Sequence, residues 1–141
     1  MKFRYQKRPT DRSEAHPDRY SVLRPIIPIR LCNENNFIDT DALVDSGADD
    51  CIFSAEIGEV IGLDIKNGKL AKYIGIGGKG IDVYFHNIEI EVGGYRYDCY
   101  IGFSYDTAFK EGLLGQKGFF ELFTVVFDLS KEEIELKSKL S

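Results

Sequence analysis

The chain has 141 residues, of which 43% are hydrophobic and 29% charged, with ten Phe and eight Tyr. That suits one globular domain with a real core and excludes collagen-like, low-complexity and wholly disordered classes. The net charge of −5 is unevenly spread: residues 1–30 carry eight Lys/Arg against three Asp/Glu, and the remainder ten against twenty. No run approaches the roughly 18 apolar residues of a membrane-spanning helix, and Met1 to Tyr20 shows no apolar leader stretch. The reading expects no membrane insertion.

Met1 to Ser21 is polar and basic, with Pro9 and Pro17, and reads as an extended, flexible arm. A basic arm can meet nucleic acid or an anionic membrane, but its charge density is low, and a solvated leader is expected rather than a nucleic-acid partner. From Val22 the pattern changes. Arg24 to Cys32 is short, apolar and β-branched, with prolines suited to an edge strand. Asn33–Asn36 is a turn, and Phe37 to Val44 is a second strand delivering the chain to Asp45-Ser46-Gly47.

Between Ala48 and Leu63 the residues Ile52, Phe53, Ile57, Val60 and Ile61 predict a short helix ending near Gly62. Lys69 to Tyr73 leads into a glycine-rich run, Gly75-Ile-Gly-Gly-Lys-Gly80. Ile81 to Phe85 and Ile88 to Val92 follow as strand. Gly93-Gly94 is a hairpin turn, and Tyr95 to Ile101 alternates again. Leu113-Leu114-Gly115 opens a predicted helical stretch, Gln116 to Leu122. Phe123 to Asp128, a turn at Leu129 to Glu132, and Glu133 to Leu136 form a last hairpin. Many short strands with one or two short helices predict an all-β, closed or nearly closed barrel.

The three cysteines, Cys32, Cys51 and Cys99, are odd in number and far apart. They argue against a disulfide framework and for a reducing, cytoplasmic setting. No Cys-x-x-Cys pair occurs, and His16 and His86 stand alone, so no metal site is expected. The glycine run formally matches Gly-x-Gly-x-x-Gly, but a strand follows it where a dinucleotide site needs a helix N-terminus. No cofactor is expected. Ser46 lacks the Gly-x-Ser-x-Gly elbow and a histidine base of a serine hydrolase. Cys51 reads as a small core residue, and His86 as flanking a strand end.

Asp45-Ser46-Gly47 has two readings. Asp, Ser and Gly are all turn formers, and the tripeptide suits a surface turn. It also suits water activation, in which one ionised carboxylate takes a proton and a second, protonated one donates to a carbonyl. Two such groups about 3 Å apart share one proton and titrate as a pair. Gly47 then lets the backbone turn tightly, and the Ser46 hydroxyl fixes the loop through a neighbouring backbone group.

Asp45-Ser-Gly-Ala48-Asp49-Asp50 resembles the Asp-Thr/Ser-Gly-Ala motif of retroviral-type (retropepsin-like) aspartic proteases, including the two following aspartates. The Gly75–Gly80 run sits where that family places its flap. Leu113-Leu114-Gly115 resembles its hydrophobic-hydrophobic-Gly motif, which packs beneath the active-site loop. The closing stretch Phe119 to Leu136 looks more like the end of a pepsin lobe. The resemblance covers roughly Pro25 to Leu136, and residues 22–141 are taken as the retropepsin-like domain. Gln116 and Lys117 stand where many relatives have Arg or Asp.

The resemblance implies an acid-protease-type barrel subunit, active as a symmetric homodimer on a polypeptide substrate. Asp45 is the catalytic residue it implies, with Ser46, Gly47 and Ala48 in the active-site loop. It implies Asp49, Asp50, Gly77 and Gly78 as substrate-binding residues, with Asp49 and Asp50 alternatively capping the following helix. Tyr73 either lies over the substrate or packs. Only one Asp-Ser-Gly occurs, so the second carboxylate must come from a second copy. A non-catalytic dimeric peptide- or protein-binding module on the same fold is the alternative.

Overall fold

The computed structural model describes residues 1–74, 78–106 and 108–139. In chain order the strands are β1 (Lys2–Arg4), β2 (Gln6–Pro9), β3 (Ser21–Arg24), β4 (Ile26–Asn33), β5 (Asn36–Val44) and β6 (Ile52–Ser54). Then come helix α1 (Ala55–Val60) and a short 3-10 helix (Ile65–Asn67). They are followed by β7 (Lys69–Ile74), β8 (Gly80–Val92), β9 (Tyr95–Ser104), β10 (Gly112–Leu114), β11 (Phe123–Asp128) and β12 (Glu133–Ser138).

Six strands close a hydrogen-bonded ring, β4-β5-β10-β6-β9-β8, because β8 pairs back onto β4; β7 hangs on the outer edge of β8. Two pairings are parallel, β5 with β10 and β6 with β9. The ring wraps a core in which Phe53, Phe103, Phe119, Phe123, Ile27, Leu31, Ile90 and Leu114 are fully buried. Each such side chain contributes on the order of 1.5–3 kcal/mol of burial free energy. β4 explains its own prolines. Its second half, Arg30–Cys32, is paired on both sides, whereas exposed Pro28 has only Asp41 of β5 as a neighbour. The missing N–H falls where β4 is still an edge.

The arm expected to be flexible is instead paired in two places. β1 runs antiparallel to β12 and extends the β11–β12 hairpin to three strands, and β2 pairs with β3. The reason is a short alternation, Met1-x-Phe3-x-Tyr5, whose apolar face packs on the core and which the surrounding charges mask. The arm's basic excess meets the acidic remainder of its own chain: Lys2 faces Glu133 at 3.9 Å, and Arg8 bonds Glu111 at 2.9 Å and approaches Asp41 at 3.8 Å. Exposed pairs of this kind are worth about 0–1 kcal/mol each, so they set direction more than stability.

The predicted helix before Gly62 is present as α1. The stretch Gln116–Leu122 is a chain of turns rather than a helix. Gly118, at φ +94°, breaks any right-handed run, and its N–H is taken by the Glu121 side chain at 2.9 Å. Hydrogen bonds there skip irregularly, from Phe120 to Gly115 and from Leu122 to Phe119.

Candidate active site

β5 is a buried strand whose last residue, Val44, is 3% exposed. The chain then turns outward, leaving Asp45 half-buried and Ser46 and Gly47 exposed. The turn is fixed almost wholly by backbone. Asp45 N–H donates to the Leu114 carbonyl at 3.0 Å, and Ala48 N–H to the Asp45 carbonyl at 3.2 Å. Gly47 N–H donates to Asp45 Oδ1 at 2.9 Å, which aims the carboxylate. From the other side, Gln116 N–H donates to the Ala48 carbonyl at 2.8 Å and Lys117 N–H to the Asp49 carbonyl at 2.9 Å. Gln116 Nε2 also donates to the Ser46 carbonyl. The loop is thus held through the Ser46 backbone, while the Ser46 side chain stays exposed.

β10 supplies this support. It runs parallel to the end of β5, with Leu113 beside Leu43 and Leu114 beside Val44. Directly after it, Gly115 lies flat against the loop: a Cβ there would stand 2.4 Å from the Asp50 carbonyl oxygen and 2.6 Å from that of Ala48. Contacts under 3 Å with backbone oxygen would force loop and turn apart, so Leu113-Leu114-Gly115 is the platform on which Asp45 sits. Gln116, a departure from the family pattern, contributes the bonds to Ala48 and Ser46; nothing in its sequence neighbourhood announced them.

The hairpin β7–β8 rises beside the loop. Gly77, with Gly75 and Ile76, lies outside the described residues; Gly78 is exposed at φ +79° with open space around it. The hairpin base is tied to the loop by Tyr73, whose hydroxyl donates to Asp50 Oδ2. Burial, then the Asp50 hydrogen bond, push the Tyr73 phenol up from its ordinary value. The ring of Tyr73 packs against Ile52, Val83 and Phe85, the packing role open to it from the sequence, and its hydroxyl adds a bond that the sequence did not announce. Asp49 is exposed. Neither aspartate caps α1, whose N-cap is Ser54 without a side-chain bond.

Cys51 is fully buried behind the loop, as a core residue, and its sulfur accepts the Gly115 N–H at 3.4 Å. His86 lies within β8 rather than at a strand end, with Nε2 2.8 Å from the Ile65 carbonyl. Among the described residues no group of His, Cys, Asp and Glu has the geometry to hold a metal ion. Among them, too, no helix is long and apolar enough to cross a membrane.

No family model matches the chain, and no curated protein does. Solved structures do. The EIAV protease complexed with the inhibitor HBY-793 superposes with a TM-score of 0.51 at 17% identity, covering 65% of this chain and 81% of that one. A retropepsin-like aspartic protease from Rickettsia conorii gives 0.55 at 19%, covering 87% and 92%. The retroviral protease-like domain of Ddi1 from Leishmania major gives 0.56 at 17%, covering 82% and 90%. At such identities the likeness concerns the fold, and the chain has the fold of the retropepsin-like aspartic proteases.

Proposed function

We propose that the chain is one subunit of a homodimeric aspartic endopeptidase acting on polypeptides. The observation that carries this reading is the Asp45 carboxylate, aimed by Gly47 N–H at 2.9 Å at the end of a buried strand on the Gly115 platform. A single carboxylate can take a proton from water but leaves no acid for the substrate carbonyl. A second copy, related by a two-fold axis through the site, supplies its own Asp45. The two carboxyls then share one proton. The ionised one takes a proton from the water attacking the scissile carbonyl, and the protonated one donates to the carbonyl oxygen. Ser46 of each copy bonds across the axis. Asp49 and Asp50 take the substrate backbone. The hairpin closes over the substrate, with the Gly78 amide toward the tetrahedral intermediate. No covalent intermediate, metal or cofactor enters this scheme. Three free, buried cysteines favour a reducing compartment such as the cytoplasm.

The test is Asp45→Asn, assayed with an unfolded protein substrate from acid to neutral pH and read by mass spectrometry. The variant keeps the parent's circular dichroism and sedimentation coefficient and loses cleavage. An Asn variant that cuts as fast as the parent overturns the assignment. A parent that binds the substrate but cuts nothing at any pH replaces the enzyme with a dimeric binding module.

A further inference from the structure

Two of the three cysteines meet behind the Asp45 loop. Cys51 follows Asp50 directly and is fully buried, while Cys99, from β9, is 5% exposed. The turn after β10 is packed onto both sulfurs. Cys51 Sγ accepts the Gly115 N–H at 3.4 Å and lies 3.3 Å from the Lys117 carbonyl oxygen; Cys99 Sγ lies 3.6 Å from that of Gly118. Gly118 is wedged against the pair, since a Cβ there would stand 2.5 Å from Cys99 Sγ and 3.4 Å from Cys51 Sγ. The two thiols are near enough to shift each other's ionisation. A cleft of about 390 Å³ between Asp50, Asp98, Tyr100, Lys117 and Glu121 opens onto Cys99. Cys32 sits apart on β4, among Arg96, Glu91, Glu89 and Arg30.

We propose that Cys51 and Cys99 form a reversible oxidation site, taking a small hydroperoxide as co-reactant and closing a disulfide beneath the active-site loop. The hydrogen bond from Cys99, against burial, favours the Cys51 thiolate, and the same bond together with burial pushes the Cys99 thiol up. One thiol attacks a peroxide oxygen, becoming a sulfenic acid and releasing water. The other sulfur displaces the hydroxyl as a second water, and the sulfur–sulfur bond forms. Hydrogen peroxide is thereby reduced to two waters, and the two thiol protons leave with them. A dithiol reverses the step by exchange.

The consequence follows from what the thiols now hold. Disulfide formation removes both thiol protons, so neither sulfur can donate to the Lys117 or Gly118 carbonyl. It also draws the two sulfurs beside Gly118 to about 2.05 Å. The same turn carries the Gln116 and Lys117 N–H bonds to Ala48 and Asp49, so its displacement is passed to Asp45.

The chemical part stands without the peptidase reading; only the activity arm rests on it. The purified full chain is treated with hydrogen peroxide, denatured, alkylated and digested. The expected product is a Cys51–Cys99 cross-linked peptide with Cys32 alkylated, the protein lighter by two hydrogens and restored by dithiothreitol. Cys32→Ala keeps the cross-link. Cleavage by the parent falls about tenfold or more on oxidation, as a loop displaced on the ångström scale requires. Cys99→Ala keeps its cleavage through the same treatment. Alkylation of all three cysteines after peroxide, or separate sulfinic and sulfonic acids without a cross-link, overturns the site. Equal inactivation of the parent and Cys99→Ala overturns its control of the loop.

Discussion

Gly115→Ala isolates the platform from the chemistry it supports. The new methyl would stand 2.4 Å and 2.6 Å from two carbonyl oxygens, of Asp50 and Ala48. An ordinary carbon–oxygen contact is nearer 3.3 Å, as the tightest usual approach, so the loop and the turn must separate by something under 1 Å. Neither oxygen is the end of a flexible side chain, and the Ala48 oxygen already accepts the Gln116 N–H at 2.8 Å, which lengthens as they part. Overpacking of this kind costs about 1–3 kcal/mol. For a chain of this size that is a fall of roughly 3–10 °C in Tm. The catalytic cost is larger in proportion, because misplacement of about 1 Å takes on the order of a hundredfold from the rate. Thermal unfolding and kcat/KM on one peptide substrate measure the two effects separately. Gly80→Ala is the stability control, since a Cβ there meets nothing within 4 Å and Tm stays put. A Gly115→Ala protein with the parent's Tm and kcat/KM would refute the platform.

Tyr73→Phe removes the hydroxyl that donates to Asp50 while keeping the ring among Ile52, Val83 and Phe85. Stability drops by about 0.5–1.5 kcal/mol, and KM for an extended peptide rises more than kcat falls; unchanged KM would separate the hairpin base from substrate binding. Arg30 donates to Asp39 at 2.7 Å and holds that carboxyl below its ordinary value. A depressed carboxylate contributes stability above its unfolded pKa of about 3.9 and loses it as pH falls through the folded value. In Arg30→Gln the NMR titration of Asp39 moves up toward the unfolded value, and an unmoved titration contradicts the pairing.

Period-two alternation was legible wherever one face of a strand is buried and the other wet. That holds for Ile88–Val92 and Tyr95–Ile101; the closing hairpin was legible from its turn, where Glu132 takes a positive φ. The packing of Leu113-Leu114-Gly115 beneath the Asp-Ser-Gly loop was legible through the resemblance of both segments to retropepsin-like motifs, since the tripeptide alone equally suits a surface turn. The rest depended on distance in space. Gln116–Leu122 has the apolar content of a helix, and only Gly118 at φ +94°, clamped by Glu121, turns it into loops. β1 is three residues long, too short for a period to stand out from its charges. Tyr73 and Asp50 are separated by a strand, a helix, a 3-10 turn and most of a second strand, and nothing local joins them.

The loop and the hairpin are held by different means, and the difference divides the labour of the site. The Asp45 loop is fixed by two backbone bonds that no rotamer change can release, from Asp45 N–H to the Leu114 carbonyl and from Gln116 N–H to the Ala48 carbonyl, while Gly47 N–H holds the Asp45 carboxylate. Among the described residues the hairpin is tied to the loop by the Tyr73 hydroxyl, beside a small apolar cluster of Ile52, Val83 and Phe85; under the proposed function these contacts break and re-form as a peptide enters. The proposed hydrolysis calls for a rigid acid and a releasable cover. Under that proposal the carboxylate stays in place when a substrate arrives, and the cover moves. Breaking the Tyr73 bond should therefore alter entry and leave the carboxylate in place, whereas filling the space at Gly115 should do the reverse.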